Sequence, residues 1–235
     1  RGDRGELNII PNGTISTTTN FTRGDYLALV DVAIDETVTP NVGAIARRVI
    51  GAENNTTPSV VNCSATGTIT VNCPNYEKVA NGDQEFSVGG LIGYALNAGI
   101  EKCVNEVDVT VTQLVANTAS YTVYGCTGGV VGYAQSKNFT GEAKISECEN
   151  KGDITFSECS DAEGDANVAF RIGGCVGVSS VGYSDIYKCV NRGVITVNNR
   201  HSTGYLGGVS GLVTACNIDD CENYGAINFN AQMES

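Results

Sequence analysis

The sequence predicts an all-β protein: a parallel β-solenoid of about five three-stranded coils, preceded by an N-terminal capping segment. Three observations carry this expectation. A glycine phrase recurs four times, as Gly89-Gly90-Leu91-Ile92-Gly93-Tyr94, Gly128-Gly129-Val130-Val131-Gly132-Tyr133, Gly173-Gly174-Cys175-Val176-Gly177-Val178 and Gly207-Gly208-Val209-Ser210-Gly211-Leu212. Each copy is followed, 13 to 19 residues after its second glycine, by Cys-x-Asn, at Cys103/Asn105, Cys148/Asn150, Cys189/Asn191 and Cys221/Asn223. The composition agrees, because 29 Gly among abundant Val, Ile and Thr, with no Trp, favours strands broken by glycine turns. Self-similarity at this period marks a repeat architecture. One repeat cannot bury its apolar face alone, but stacked coils bury it against each other.

The elements follow in order. Residues 1–41 form the N-terminal segment and cap. Within it, Asn12-Gly13-Thr14-Ile15-Ser16 reads as a degenerate copy of the strand phrase, and Tyr26 to Ile34 as one buried strand. Arg1-Gly2-Asp3 and Arg23-Gly24-Asp25 are read as ordinary turn residues. Residues 42–235 hold the repeats. In the first, Gly43-Ala44-Ile45-Ala46 stands for the glycine phrase, with Ala46 in place of its last glycine. Then comes Cys63-Ser64-Ala65-Thr66-Gly67-Thr68-Ile69-Thr70-Val71, whose register returns from Cys103, Cys148, Cys189 and Cys221. In the Cys103 copy Val107 replaces the glycine.

Each repeat therefore offers three strands: the glycine phrase, the segment ending in the shared cysteine, and the alternating run after Asn-x-Gly. Glycine in that corner is expected to supply a positive φ. The asparagine is expected to bond its own backbone and, stacked coil on coil, to form an amide ladder. Five coils at about 4.8 Å each give an axis of roughly 24 Å. The variable segments 74–85, 113–127, 158–171 and 198–205 are loops.

Ten cysteines are present. Cys63, Cys103, Cys148, Cys189 and Cys221 share one slot and are expected to be buried and reduced, since free cysteine packs as a small apolar residue. Cys73, Cys126, Cys159, Cys175 and Cys216 fall at unmatched places, where any disulfide would be sought first. No CxxC spacing occurs, so no zinc site is expected.

The formal net charge is −12 and the pI about 4.4. Such a surface repels phosphate backbones and anionic membranes. No run of 18 apolar residues suggests a membrane span. A signal peptide is not visible and residue 1 is arginine, which reads as a processed product or a piece of a longer chain.

Candidate chemistry is sparse. Asp219-Asp220 is an adjacent acidic pair beside a strand, but paired carboxylates need a shared cleft. Asp161-Ala162-Glu163-Gly164-Asp165 is acidic without a calcium-loop pattern. His201, the single histidine, has no partner histidine for a metal or a relay. Asn-x-Ser/Thr sequons stand at Asn12, Asn20, Asn54, Asn55, Asn62 and Asn138. No catalytic, cofactor-binding or metal-ligating residue is assigned, and the protein is expected not to be an enzyme.

Gly90-Leu91-Ile92-Gly93 resembles the Gly-Leu-hydrophobic-Gly signature of the GLUG repeat family. Gly129-Val130-Val131-Gly132 is similar, and the copies at Gly174 and Gly208 depart further. The resemblance spans about residues 42–229 and implies an extracellular or cell-surface, adhesin-like protein. The last alternating strand ends at Phe229, where an uncovered coil edge would template association. The expectation is a structural or adhesive module, either a stalk segment or a subunit stacking into a fibre. Its partners would be proteins or like subunits at that end, with surface glycans as a second class. The competing reading is a carbohydrate-binding or polysaccharide-cleaving β-helix.

Overall fold

The computed structural model describes residues 15–16, 20–22, 41–51, 58–73, 84–114, 123–136, 144–159, 168–180, 185–199 and 203–231. Every regular element among them is a β-strand, and every strand pairing is parallel. The parallel β-solenoid is therefore observed, and five complete coils run from Asn41 onward among the described residues. Each coil visits four sheets, not three. Sheet 1 stacks β3 (Asn41–Val42), β7 (Gln84–Gly89), β11 (Val123–Gly128), β16 (Val168–Gly173) and β21 (Thr203–Gly207). Sheet 2 stacks β4 (Ala46–Ile50), β8 (Ile92–Leu96), β12 (Val131–Gln135), β17 (Val176–Ser180) and β22 (Ser210–Val213). Sheet 3 stacks β1 (Ile15–Ser16), β5 (Pro58–Val61), β9 (Gly99–Glu101), β13 (Lys144–Ser146), β18 (Asp185–Tyr187) and β23 (Asn217–Asp219). Sheet 4 begins with β2 (Asn20–Thr22), β6 (Ser64–Cys73) and β10 (Val104–Leu114). It continues as the broken pairs β14 (Glu149–Asn150) with β15 (Ile154–Cys159), β19 (Val190–Asn191) with β20 (Ile195–Asn199), and β24 (Glu222–Asn223) with β25 (Ile227–Ala231).

The three-strand expectation fails at the glycine phrase. The phrase is a corner between two strands, with β7 ending at Gly89 and β8 starting at Ile92. A Cβ on Gly89 would lie 1.9 Å from the Ile92 carbonyl oxygen, so the chain bends where no side chain fits. In sheet 4, β6 runs unbroken through Gly67 and β10 through the Val107 level with it, whereas the later coils break in two at Gly152, Gly193 and Gly225.

Two register expectations are also corrected. Val42 pairs with Val88 and Ala46 with Ile92, so Gly43 stands level with Gly89 and Arg47, not Ala46, takes the last glycine's place. That last glycine is required where it approaches the coil below: a Cβ on Gly93 would meet the Val42 nitrogen at 2.6 Å. No described sheet 1 strand lies below β3, so a side chain is tolerated at Arg47. Ile15 pairs with Val60, which puts β1 in the strand before the shared cysteine and not in the alternating run. The Tyr26–Ile34 strand, both Arg-Gly-Asp tripeptides, the acidic loop at 161–165 and His201 lie outside the described residues.

Alternation along sheet 4 fills the core. Ile69, Val109, Ile154 and Ile195 form one buried column, and Val71, Val111, Phe156 and Val197 the next. Thr127 sits level with Val88 and Ile172, fully buried, and its hydroxyl has no hydrogen-bond partner. Replacing it by the isosteric valine removes a desolvated hydroxyl. Thr127→Val is expected to stabilise the fold by about 1 kcal/mol, read as a higher urea midpoint at unchanged slope.

Candidate functional site

The glycine phrase and the Cys-x-Asn phrase meet inside the stack. Asn105 Nδ2 donates to Asn150 Oδ1, Asn150 to Asn191 and Asn191 to Asn223, each at 2.7 Å. Each of these amides also donates to the carbonyl two residues on, Val107, Gly152, Gly193 and Gly225, at 2.9–3.0 Å. The expected ladder is thus present, with asparagines 105, 150 and 191 fully buried. The second glycine of each phrase packs against it. A Cβ on Gly90 would lie 2.4 Å from Asn105 Oδ1, and on Gly129 2.2 Å from Asn150 Cγ. The first coil makes the complementary exchange: Ala65 holds the ladder place, level with Asn105, and Ala44 holds the second-glycine place. Two motifs far apart in sequence thus answer one packing requirement.

The corner glycine takes the expected positive φ in the first coil, at Gly67 (127°); in the Asn-x-Gly copies it works by close approach instead. Cβ atoms on Gly152, Gly193 and Gly225 would lie 1.9–2.0 Å from a carbonyl oxygen of the preceding coil. The left-handed residues of the corner come earlier. Asn62, Lys102, Glu147, Lys188 and Asp220 have φ between 50° and 55°, and each immediately precedes the shared cysteine. A left-handed non-glycine residue costs about 1–2 kcal/mol. The backbone amide so turned gains a partner in the next coil: Lys102 N–H donates to Ser146 O at 3.0 Å, Glu147 to Tyr187 O at 2.9 Å and Lys188 to Asp219 O at 3.0 Å.

The five shared cysteines are free thiols, with Cys63, Cys103, Cys148 and Cys189 buried and Cys221 half-buried. Among the unmatched cysteines, Cys126 and Cys175 are buried free thiols and Cys216 a half-buried one. Column thiols donate to carbonyls, as Cys148 Sγ does to Ser146 O at 3.3 Å. Burial holds the Cys175 thiol well above the ordinary value. Cys148 is raised likewise, by hydrogen bonding to the Cys103 and Cys189 thiols and then by burial. Below the ordinary thiol pKa of about 8.5 both folded and unfolded states keep these protons. Above it the unfolded chain releases them while the fold retains them. For Cys175 stability is therefore expected to fall as pH rises past about 8.5, by up to about 1.4 kcal/mol per pH unit; in the cysteine column the raised Cys148 is opposed by Cys103 and Cys189, each lowered to about 4 first by its hydrogen bond to Cys148. Urea titrations between pH 7 and 10 check this, and Cys175→Ala should flatten the slope.

The outer faces carry polar columns. On sheet 4, Lys151 reaches back to Glu106 at 3.2 Å and Arg192 to Glu149 at 2.5 Å. Asp108 and Asp153 each accept a backbone N–H from the next coil at 2.8 Å. Beyond them, Thr70, Thr110, Thr155, Thr196 and Asn228 stand in one uncharged column. Asn230, Asn198 and Ser157 link a second column at 2.9 and 3.0 Å. On sheet 2, Tyr94 and Tyr133 stack with centroids 5.6 Å apart, and the Arg48 guanidinium lies 5.1 Å from the Tyr94 centroid.

The last coil differs from those beneath it. Ile218, Ile227 and Phe229 are 42–50% exposed, although their counterparts in lower coils are buried. Asp219 closes β23 and Asp220 takes the left-handed corner; both are exposed, so the pair shares no cleft. Of the sequons, Asn62 sits at an exposed corner and Asn20 in β2, while Asn12, Asn54, Asn55 and Asn138 lie outside the described residues. No group of three or more His, Cys, Asp or Glu placed to hold a metal occurs among the described residues. No helix among them is long and apolar enough to cross a membrane.

A family model described as the GLUG motif matches residues 85–112. That span runs from β7 through the glycine corner and Asn105 to β10. No curated protein and no solved structure matches the chain.

Proposed function

We propose that this GLUG-motif repeat module is a non-catalytic structural or adhesive element displayed outside the cell, serving as a rigid segment of a stalk. One observation carries the reading: the hydrogen-bonded ladders run without interruption through five coils, each coil fixed by its neighbours. Such a stack resists bending and presents its faces at constant spacing. Proteins or like subunits are its expected partners. Antibody raised against residues 203–231 should label intact cells of the source organism; labelling confined to lysed cells contradicts the surface assignment.

A second reading, carbohydrate binding, is favoured by the uncharged hydroxyl and amide columns of sheet 4. A neutral glycan chain could hydrogen-bond along them without meeting the chain's negative charge. A glycan array probed with the wild-type chain and with Thr110→Lys/Thr155→Lys separates the readings. Binding lost in the variant favours this one, and no binding by the wild type favours the scaffold.

A further inference from the structure

We propose that the column of shared cysteines is a binding site for soft monovalent cations of the Cu(I) class, each held linearly between the sulfurs of two successive coils. The site lies inside the stack, so the inference goes beyond the display role proposed above and does not rest on it.

The register sets the sulfurs one above another. Val61 pairs with Glu101 and Ser64 with Val104, which brackets Cys63 and Cys103 at one level. Glu101 with Ser146 and Val104 with Glu149 bracket Cys103 and Cys148. Ser146 with Tyr187 and Glu149 with Val190 bracket Cys148 and Cys189, and Tyr187 with Asp219 and Val190 with Glu222 bracket Cys189 and Cys221. Thiols of neighbouring coils reach each other as hydrogen-bond partners, Cys103 with Cys63 and Cys148, and Cys189 with Cys148 and Cys221. All five are free, and the first four are buried. Burial alone does not ask for sulfur, since Ala95 and Ala134 fill another core level. Even the ladder asparagine gives way to Ala65 in the first coil, whereas the cysteine is kept in all five.

Magnitudes select the chemistry. Successive coils stand about 4.8 Å apart. A disulfide needs Cβ atoms about 3.5–4.5 Å apart, so forming one would pull two hydrogen-bonded strands together. A metal–thiolate bond is about 2.3 Å long, and a linear sulfur–metal–sulfur bridge therefore spans about 4.6 Å, close to the coil spacing. No third ligand converges on a gap, because no group of three or more His, Cys, Asp or Glu placed to hold a metal occurs among the described residues. Tetrahedral zinc is thus a poor match, and paired thiolates suit a soft two-coordinate cation.

Binding is ligand exchange without redox chemistry. Two thiols release their protons, two sulfur–metal bonds form, and the bridge carries one negative charge. Backbone donors already face that charge. Cys189 N–H donates to Cys221 Sγ at 3.3 Å, and the N–H groups of Cys63 and Cys148 are aimed likewise at the Cys103 and Cys189 sulfurs. A buried anion so supported costs less than a bare one. Each sulfur of this straight column serves one cation, because a second would force metal, sulfur and metal into line. Five thiols therefore form two bridges and leave one thiol over.

The probe is Cu(I), supplied with a competing chelator to the whole chain refolded from urea. Anaerobic conditions and a non-thiol reductant keep the column free, and refolding removes burial as a barrier to entry. At one copper per chain, X-ray absorption should show two sulfur neighbours, and the urea midpoint should rise. Single substitutions should change the stoichiometry by parity. Cys103→Ala isolates Cys63 and leaves one bridge among the other three, so it should bind one copper fewer than the wild type. Cys189→Ala isolates Cys221 and should also bind one fewer. Cys148→Ala leaves two intact pairs and should bind as many as the wild type. The wild-type spectrum tests the site even where a variant does not fold. Absence of copper binding, three or four sulfur neighbours, an equal loss in all three variants, or no loss in any would overturn the proposal.

Discussion

Asn150→Ala is expected to destabilise the fold by about 3–5 kcal/mol, a large loss for a change of one side chain. The substitution removes the bonds to Asn105, Asn191 and Gly152 at a place with no water access. It leaves an N–H of Asn105, the Gly152 carbonyl and the Asn191 side-chain oxygen without that partner. Each such buried group costs about 1–3 kcal/mol, and the emptied space adds a cavity term. Because each coil is held only by its neighbours, the loss should also split the stack at that level. Asn223→Ala is the control. Its position is exposed, so the Asn191 amide can turn to water and the cost should be about 1 kcal/mol. Urea unfolding of both variants checks the contrast, and equal costs would contradict the ladder's role.

Gly129→Ala should be nearly as severe, at about 3–4 kcal/mol. The new methyl would lie 2.2 Å from Asn150 Cγ and 2.3 Å from the Gly174 carbonyl oxygen. Neither can retreat: Asn150 is held by Asn191, and Gly174 O accepts the Gly129 amide at 3.1 Å. The first coil suggests the compensation, since Ala44 occurs where the ladder place holds Ala65. In the Asn150→Ala background, Gly129→Ala should therefore cost about 1–3 kcal/mol less than alone. A double-mutant cycle measures this, and strict additivity would show that the two motifs do not share a site.

Much of this architecture is legible in the letters. Repeated Asn-x-Gly placed the ladder, because a buried amide column needs one asparagine per coil at one register. Other features are hidden for physical reasons. Left-handed backbone falls on Asn62, Lys102, Glu147, Lys188 and Asp220. Only their shared polarity and their place before the cysteine mark them, since the strain is offset by an inter-coil hydrogen bond and not avoided with glycine. The fourth side of the coil was missed because the glycine phrase reads as one apolar run. Its glycines are required by contacts with other coils, which local pattern does not reveal.

Hydrogen exchange of the asparagine side-chain amides tests the stacked register most directly. NMR of the labelled chain should find the Nδ2 protons of Asn105, Asn150 and Asn191 exchanging only with opening of the stack, with cross-relaxation between amides of successive coils. Asn223 should exchange faster. Rapid exchange at Asn150, or contacts from its amide to residues other than Asn105 and Asn191 along the ladder, would contradict the coil-on-coil arrangement.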